Sequence, residues 1–345
     1  MKHRIWIFLI GIFCLFTWLA FRCIKEEPVK FLIPKGWPKP HYDFSKNKLT
    51  AAGFSLGRKL FYDPVLSNDS SISCASCHLQ ATGFAHVDHD LSHGIEGKIG
   101  TRNAPGIVNP AWNKFFMWDG GVNHLEVQAL APITNPIEMN ESLNHIVIKL
   151  STQLSYRKAF KRAFGDSIIS GQRVLLGISQ FLVMLNSSNS KYDKYIRHEK
   201  DGKFSVQELN GLKIFRKHCG SCHTEPLFTN NDFANNGLKV DTSLKDYGRY
   251  SITHNANDSL KFKVPSLRNI EFTYPYMHDG RFKKLSEVLN HYNSGIKSSK
   301  TLANELQKPM QLTAEQKTDL LVFLLTLSDK SFLFDQRFSY PREKS

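Results

Sequence analysis

Apolar residues recur at helical spacing in two long stretches of the chain. Within 141–164, Leu143, Ile146, Val147, Leu150 and Leu154 fall at that spacing, and Gly165 stands at the stop. Val174, Leu175, Ile178, Leu182 and Leu185 predict a second helix that ends near Asn186. Ser205-x-x-Glu208 and Thr313-x-x-Gln316 are capping boxes that open two more. Between these helices the chain is rich in Gly, Asn, Asp and Pro. The pattern predicts an all-α protein with long connections. One stretch departs from it: residues 5–21 are apolar throughout and follow Lys2 and Arg4.

That N-terminal stretch reads as an address. It is short for a membrane-spanning helix and long for the apolar part of a signal peptide. Cys23 could carry a lipid, but Ala20-Phe21-Arg22 is a poor lead-in for one. The positive residues before the run place the remaining chain outside the cytoplasm. Residues 1–24 are therefore expected to be a signal or membrane anchor, giving a periplasmic protein, and a retained anchor is favoured over cleavage. Residues 25–46, with Pro28, Pro34, Pro38 and Pro40, are expected to form an extended tether.

With 345 residues the chain should hold about two domains. Its 41% hydrophobic and 22% charged residues are ordinary for a globular protein. The formal charge of +14 suggests a nucleic-acid partner, but the lysines and arginines are scattered and form no dense basic block. No nucleic acid is expected.

Apart from Cys14 and Cys23, the cysteines lie in two copies of one motif. These are Cys74-Ala75-Ser76-Cys77-His78 and Cys219-Gly220-Ser221-Cys222-His223. C-x-x-C-H is the attachment signature of a c-type haem. The two thiols bond the haem covalently, and the adjacent histidine is held beneath the iron. A Cys₄ zinc site or a pair of thioredoxin-like redox motifs would use the same cysteines. Neither explains a histidine directly after both pairs. Two haems bring four propionates, which would lower the formal charge to roughly +10.

The halves also resemble each other outside these motifs. Pro105, Ile107, Asn109, Met117, Asp119 and Gly120 recur 160 residues later as Pro265, Leu267, Asn269, Met277, Asp279 and Gly280. Gly57 and Phe61 before the first motif match Gly211 and Phe215 before the second. An internal duplication is expected: two tandem cytochrome-c-like haem domains, residues 47–190 and 191–345.

Several strings resemble the bacterial di-haem cytochrome c peroxidase family, which includes the MauG-type enzymes. They are Leu56-Gly57-Arg58-Lys59-Leu60-Phe61, Thr101-Arg102-Asn103-Ala104-Pro105, Trp118-Asp119-Gly120, Asn135-Pro136-Ile137-Glu138-Met139 and Pro275-Tyr276-Met277-His278-Asp279-Gly280. The resemblance implies reduction of hydrogen peroxide with electrons from a small c-type cytochrome or another one-electron donor. Such a donor delivers electrons singly, and two haems in one chain store both oxidising equivalents. The first domain would be peroxidatic and the second electron-accepting.

The resemblance places the catalytic acid-base at Glu138 and the distal glutamine at Gln128. It places Trp118 between the haems as an electron relay. Capping of the following helix is the plainer role for Glu138, and core packing the plainer role for Trp118. A calcium ion between the domains would match Asn103, Thr273 and Pro275, where an ordinary turn is the competing reading. On the loop after the first motif, His93 is the candidate for a histidine that blocks the first haem; a solvent-facing loop histidine is the alternative. Homodimers are usual in the family.

At the second haem the sequence departs from the peroxidase pattern. Offset 160 pairs Pro132 with Tyr292, so the first iron is expected to be open and the second closed by tyrosine. Conventional peroxidases place methionine there; Met277 is the available substitute. Tyrosine at this position matches MauG-type enzymes, which oxidise Trp or Tyr residues of a partner protein. A non-enzymatic di-haem electron carrier would need neither Glu138 nor Gln128.

Overall fold

A computed structural model describes residues 29–341. About 41% of these residues are helical, and long loops connect the helices. The longer helices are α1 (Ala51–Tyr62), α2 (Leu143–Ser151), α3 (Leu154–Phe164), α4 (Gly171–Leu182), α5 (Lys191–Ile196) and α6 (Val206–His218). They are followed by α7 (Leu285–Asn290) and α8 (Ala314–Leu325). Both expected capping boxes are formed, Ser205 with Glu208 and Thr313 with Gln316. The single helix expected over 141–164 is two. Gln153 is extended and opens α3, and Gly165 closes it at φ 89°.

Two close helix crossings organise the molecule. A Cβ on Gly57 of α1 would lie 2.0 Å from the carbonyl oxygen of Gly177 in α4. One on Gly211 of α6 would lie 2.0 Å from the carbonyl of Asp319 in α8. Only glycine allows either approach. In each crossing a haem-attachment motif follows the first helix, directly after α6 and after an intervening loop beyond α1.

Buried apolar side chains form two clusters. Leu60, Phe61, Trp112, Phe160 and Phe181 lie in the first. Leu212, Phe215, Phe228, Leu320 and Phe323 lie in the second. The C-terminal residues Phe332, Leu333 and Phe338 return to pack in the first cluster.

The all-α expectation is corrected. Phe233–Ala234 (β1) and Phe262–Lys263 (β2) pair antiparallel, with Phe233 opposite Lys263. Isolated bridges add to this, including Phe116 with Val122 and Tyr276 with Phe282. Two tandem, equivalent helical domains are not what the chain forms. β1 and β2 have no counterpart strand pair in the first half among the described residues, and the C-terminus belongs to the first core. The 160-residue likeness is local. Asn109 and Asn269, Met117 and Met277, and Gly120 and Gly280 share left-handed backbone conformations, which repeats a turn.

Residues 1–28, which hold the expected signal or anchor, lie outside the described residues. Among those described, no helix is long and apolar enough to cross a membrane. The described part of the Pro-rich segment, residues 29–46, packs against the first cluster through Val29, Phe31, Trp37 and Phe44. Val29 N–H donates to the Leu49 carbonyl at 2.9 Å, and the Pro38 carbonyl accepts from Trp112 Nε1–H at 2.8 Å. Trp37 packs edge-on against Trp112 at 4.9 Å, because its apolar surface finds a buried ring to cover.

Candidate active site

Ser73 and Ser76 bond each other reciprocally around the single helical turn Cys74–Cys77, and His78 follows at its end. That turn presents both thiols and the imidazole together. His78 Nδ1 lies 2.7 Å from the Phe84 carbonyl, which can only accept, so Nδ1 carries the proton and Nε2 is free to ligate. Burial pushes the His78 pKa down to about 4, which keeps the ring neutral as an iron ligand requires. At the second motif, His223 Nδ1 lies 3.1 Å from the carbonyls of both Phe228 and Pro265. Burial lowers its pKa as well. None of the four cysteines is paired in a disulfide. Both motifs thus fit a covalently attached c-type haem.

A cavity of about 450 Å³ opens over the first motif. It brings together Cys74, Cys77, His78, His93, Asn103, Trp118, Gln128, Glu138, Thr273 and Pro275. Pro132 also lines it, and proline offers no ligand atom.

Glu138 is positioned by the turn that precedes it. Asn135 Nδ2 donates to Glu138 Oε1 at 2.9 Å, and the Ile95 N–H donates to the Glu138 carbonyl at 2.8 Å. Burial raises the pKa of its carboxyl, and the Asn135 bond opposes that rise. The Gln128 amide points at Met117 Sδ, 3.8 Å away. Trp118 Nε1–H donates to the Asn103 carbonyl at 2.8 Å, and the Trp118 carbonyl accepts from Lys263 N–H at 2.7 Å.

His93 packs against His89, with ring centroids 4.0 Å apart and the rings tilted by 36°. Its loop is pinned: a Cβ on Gly94 would lie 1.8 Å from the Ile137 carbonyl. Among the described residues, no three His, Cys, Asp or Glu side chains form a metal-holding group.

Tyr292 lies away from this cavity, in the π-helical turn His291–Gly295. It is placed beside Cys219 and Cys222, and burial pushes its phenol up to about 12 despite a bond to Asn236. Asn236 also reaches Met277 Sδ at 3.4 Å. Met277 itself lines the first cavity.

The pattern of the family described as di-haem cytochrome c peroxidase matches residues 51–201. Methylamine utilization protein MauG of Methylorubrum extorquens is 33% identical over 307 residues, covering 86% of this chain and 83% of that protein. Cytochrome c551 peroxidase of Nitrosomonas europaea is 33% identical, covering 79% of each chain. The crystal structure of a MauG-like protein associated with microbial copper homeostasis superposes with a TM-score of 0.81 at 32% identity, over 91% of this chain and 99% of that one.

The chain belongs to the di-haem cytochrome c peroxidase family. It is an oxidoreductase with two c-type haems. Within that frame, sequence reasoning missed the groups that hold the site residues. Asn135 stood inside a quoted string, and its three-residue spacing to Glu138 could have suggested the bond. Met117, Asn236 and Lys263 had no such signal, since tertiary contacts alone bring them to the two sites.

Proposed function

We propose that this protein reduces hydrogen peroxide to water at the Cys74–Cys77 site, using electrons that enter singly at the Cys219–Cys222 site. The observation that carries the reading is Glu138, a half-buried carboxyl with a raised pKa on the wall of the cavity above His78. When bound, the haems supply the redox-active irons that store both oxidising equivalents.

The chain's residues handle protons and position. Each turnover consumes one peroxide, two protons and two electrons, and releases two waters. Glu138 Oε2 takes the proton from the near peroxide oxygen and returns it to the far one. Gln128 turns its amide from Met117 to hold the peroxide. Trp118 lies on the cavity wall as an aromatic relay toward the second half. Pro132 leaves the first site open, and Tyr292 closes the second. His93 is a loop histidine beside the site, packed against His89.

Asn103, Thr273 and Pro275 share one wall and would offer a calcium ion oxygen ligands alone. Covalent haem attachment supports a periplasmic location. The N-terminal segment as leader or anchor, a small c-type cytochrome as donor and a homodimer complete the proposal.

A second reading rests on Tyr292. A half-buried tyrosine beside Cys219 and Cys222 favours MauG-type oxidation of Trp or Tyr in a partner protein. Steady-state peroxide turnover with a reduced cytochrome separates the readings. Fast turnover supports the peroxidase, slow turnover with high-valent spectra supports the MauG-type enzyme, and no reaction with peroxide leaves an electron carrier. Acid extraction tests the cofactor: the denatured chain should keep its colour, with a mass gain of two haems.

A further inference from the structure

Three Lys or Arg side chains line the cavity above the first motif: Arg102, Lys263 and Arg268. Two are already committed. Arg102 holds Asp246 at 2.6 Å and Asp119 at 2.5 Å. Arg268 holds both oxygens of Asp193, at 2.7 and 2.8 Å. Lys263 has no ion-pair or side-chain hydrogen-bond partner among the described residues. Its backbone is fixed, because β2 pairs with β1 and its N–H donates to the Trp118 carbonyl. Two residues on, the Pro265 carbonyl accepts from His223 Nδ1–H.

We infer that Lys263 is the counter-cation for the propionates of the haem attached at Cys74 and Cys77, and that it raises that haem's reduction potential. This rests on the di-haem reading above. A half-buried lysine on the lining of this cavity is stabilised by an anion close by. The carboxylates lining the same cavity do not supply one: Asp119 is taken by Arg102, and Glu138 is held by Asn135. Burial alone pushes the Lys263 pKa down to about 8, and no carboxylate opposes the shift. A propionate is a carboxylate tethered to the group that fills the cavity. A cation beside it favours the reduced iron, which carries one positive charge fewer. Lys263 is thus a positioning residue on the strand that joins the wall of the first site to the histidine of the second.

The test is a spectroelectrochemical titration of both haems in wild type, K263M, K263Q and K263R, with intact mass to count haems. The first haem's midpoint should fall in K263M and K263Q, stay near wild type in K263R, and exceed any change at the second haem. Loss of the first haem from both neutral variants, with retention in K263R, supports the same assignment. Two retained haems with unshifted potentials, or a shift confined to the second haem, overturn it while leaving the di-haem reading intact. A wild-type chain without two haems overturns both.

Discussion

Asn135 and Glu138 are joined side chain to side chain, the amide donating to the carboxyl at 2.9 Å across a three-residue turn. Burial raises the carboxyl's pKa, and the amide opposes that rise by bonding the charged form. The pair therefore holds a carboxyl on the cavity wall that can still ionise.

Glu138→Gln should lose about 10²- to 10⁴-fold in the rate of reaction with peroxide while keeping both haems and the resting spectrum. Stopped-flow absorbance measures the rate; a rate within about twofold of wild type would count against the role. Stability should not fall. Because the folded state favours the protonated carboxyl, ionised Glu138 costs stability above its folded pKa, and glutamine removes that cost. The melting temperature at pH 7 should be equal or higher.

The acid limb of the pH–rate profile should be displaced upward from the ordinary glutamate value. Glu138 must be ionised to accept a proton, so the rate falls as pH drops through its raised pKa. Asn135→Ala removes the bond that lowers this pKa. The limb should then move to higher pH, and a limb that stays in place would exclude Glu138 as its origin.

Tyr292 and Met277 both meet Asn236 but belong to different sites. Tyr292→Phe should change the ferric spectrum and potential of the second haem only, whereas Met277→Leu should leave both haems nearly unchanged. The opposite outcome, or a red-region methionine–iron band in the wild type, would assign the ligand to Met277.

His93→Ala should leave the fully oxidised enzyme reacting with peroxide at the wild-type rate. The loop is pinned at Gly94 and Ile95, and the His93 ring rests on His89. A rate that rises only in the variant would mean that His93 blocks the iron.

Asp193→Asn should destabilise the protein by about 3–5 kcal/mol, since it leaves Arg268 buried without its counter-charge. Both side chains are almost fully buried, and Trp37 lies 4.5 Å from the guanidinium. Burial alone would raise the Asp193 pKa, but Arg268 overcomes it and the net shift is downward. This contribution is present above the ordinary carboxylate pKa and is lost as pH falls through the lower folded value. Denaturant melts at pH 7 and below pH 4 measure it, and the mutant deficit should shrink at the lower pH.

Much of this protein was legible in its residues. Covalent haem attachment is encoded locally, because both thiols and the histidine must lie within one helical turn. Capping is equally local, and Ser205 and Thr313 cap where their spacing to Glu208 and Gln316 says they should. The string that carries Asn135 and Glu138 was readable because it is one of the family's short strings. What crosses the chain was not readable. The β1–β2 pair joins segments about 30 residues apart through backbone bonds that no side-chain pattern announces. The helix expected over 141–164 broke at Gln153, where apolar periodicity alone marks no boundary. Residues 25–46 looked like a tether because their prolines disfavour helix, yet Trp37 and Phe31 had apolar area to bury, and only the fold placed Trp112 within reach. Lys263 is the clearest case. In sequence it is one of 45 basic residues, and its isolation in the cavity depends on which carboxylates the folded chain gives to Arg102 and Arg268.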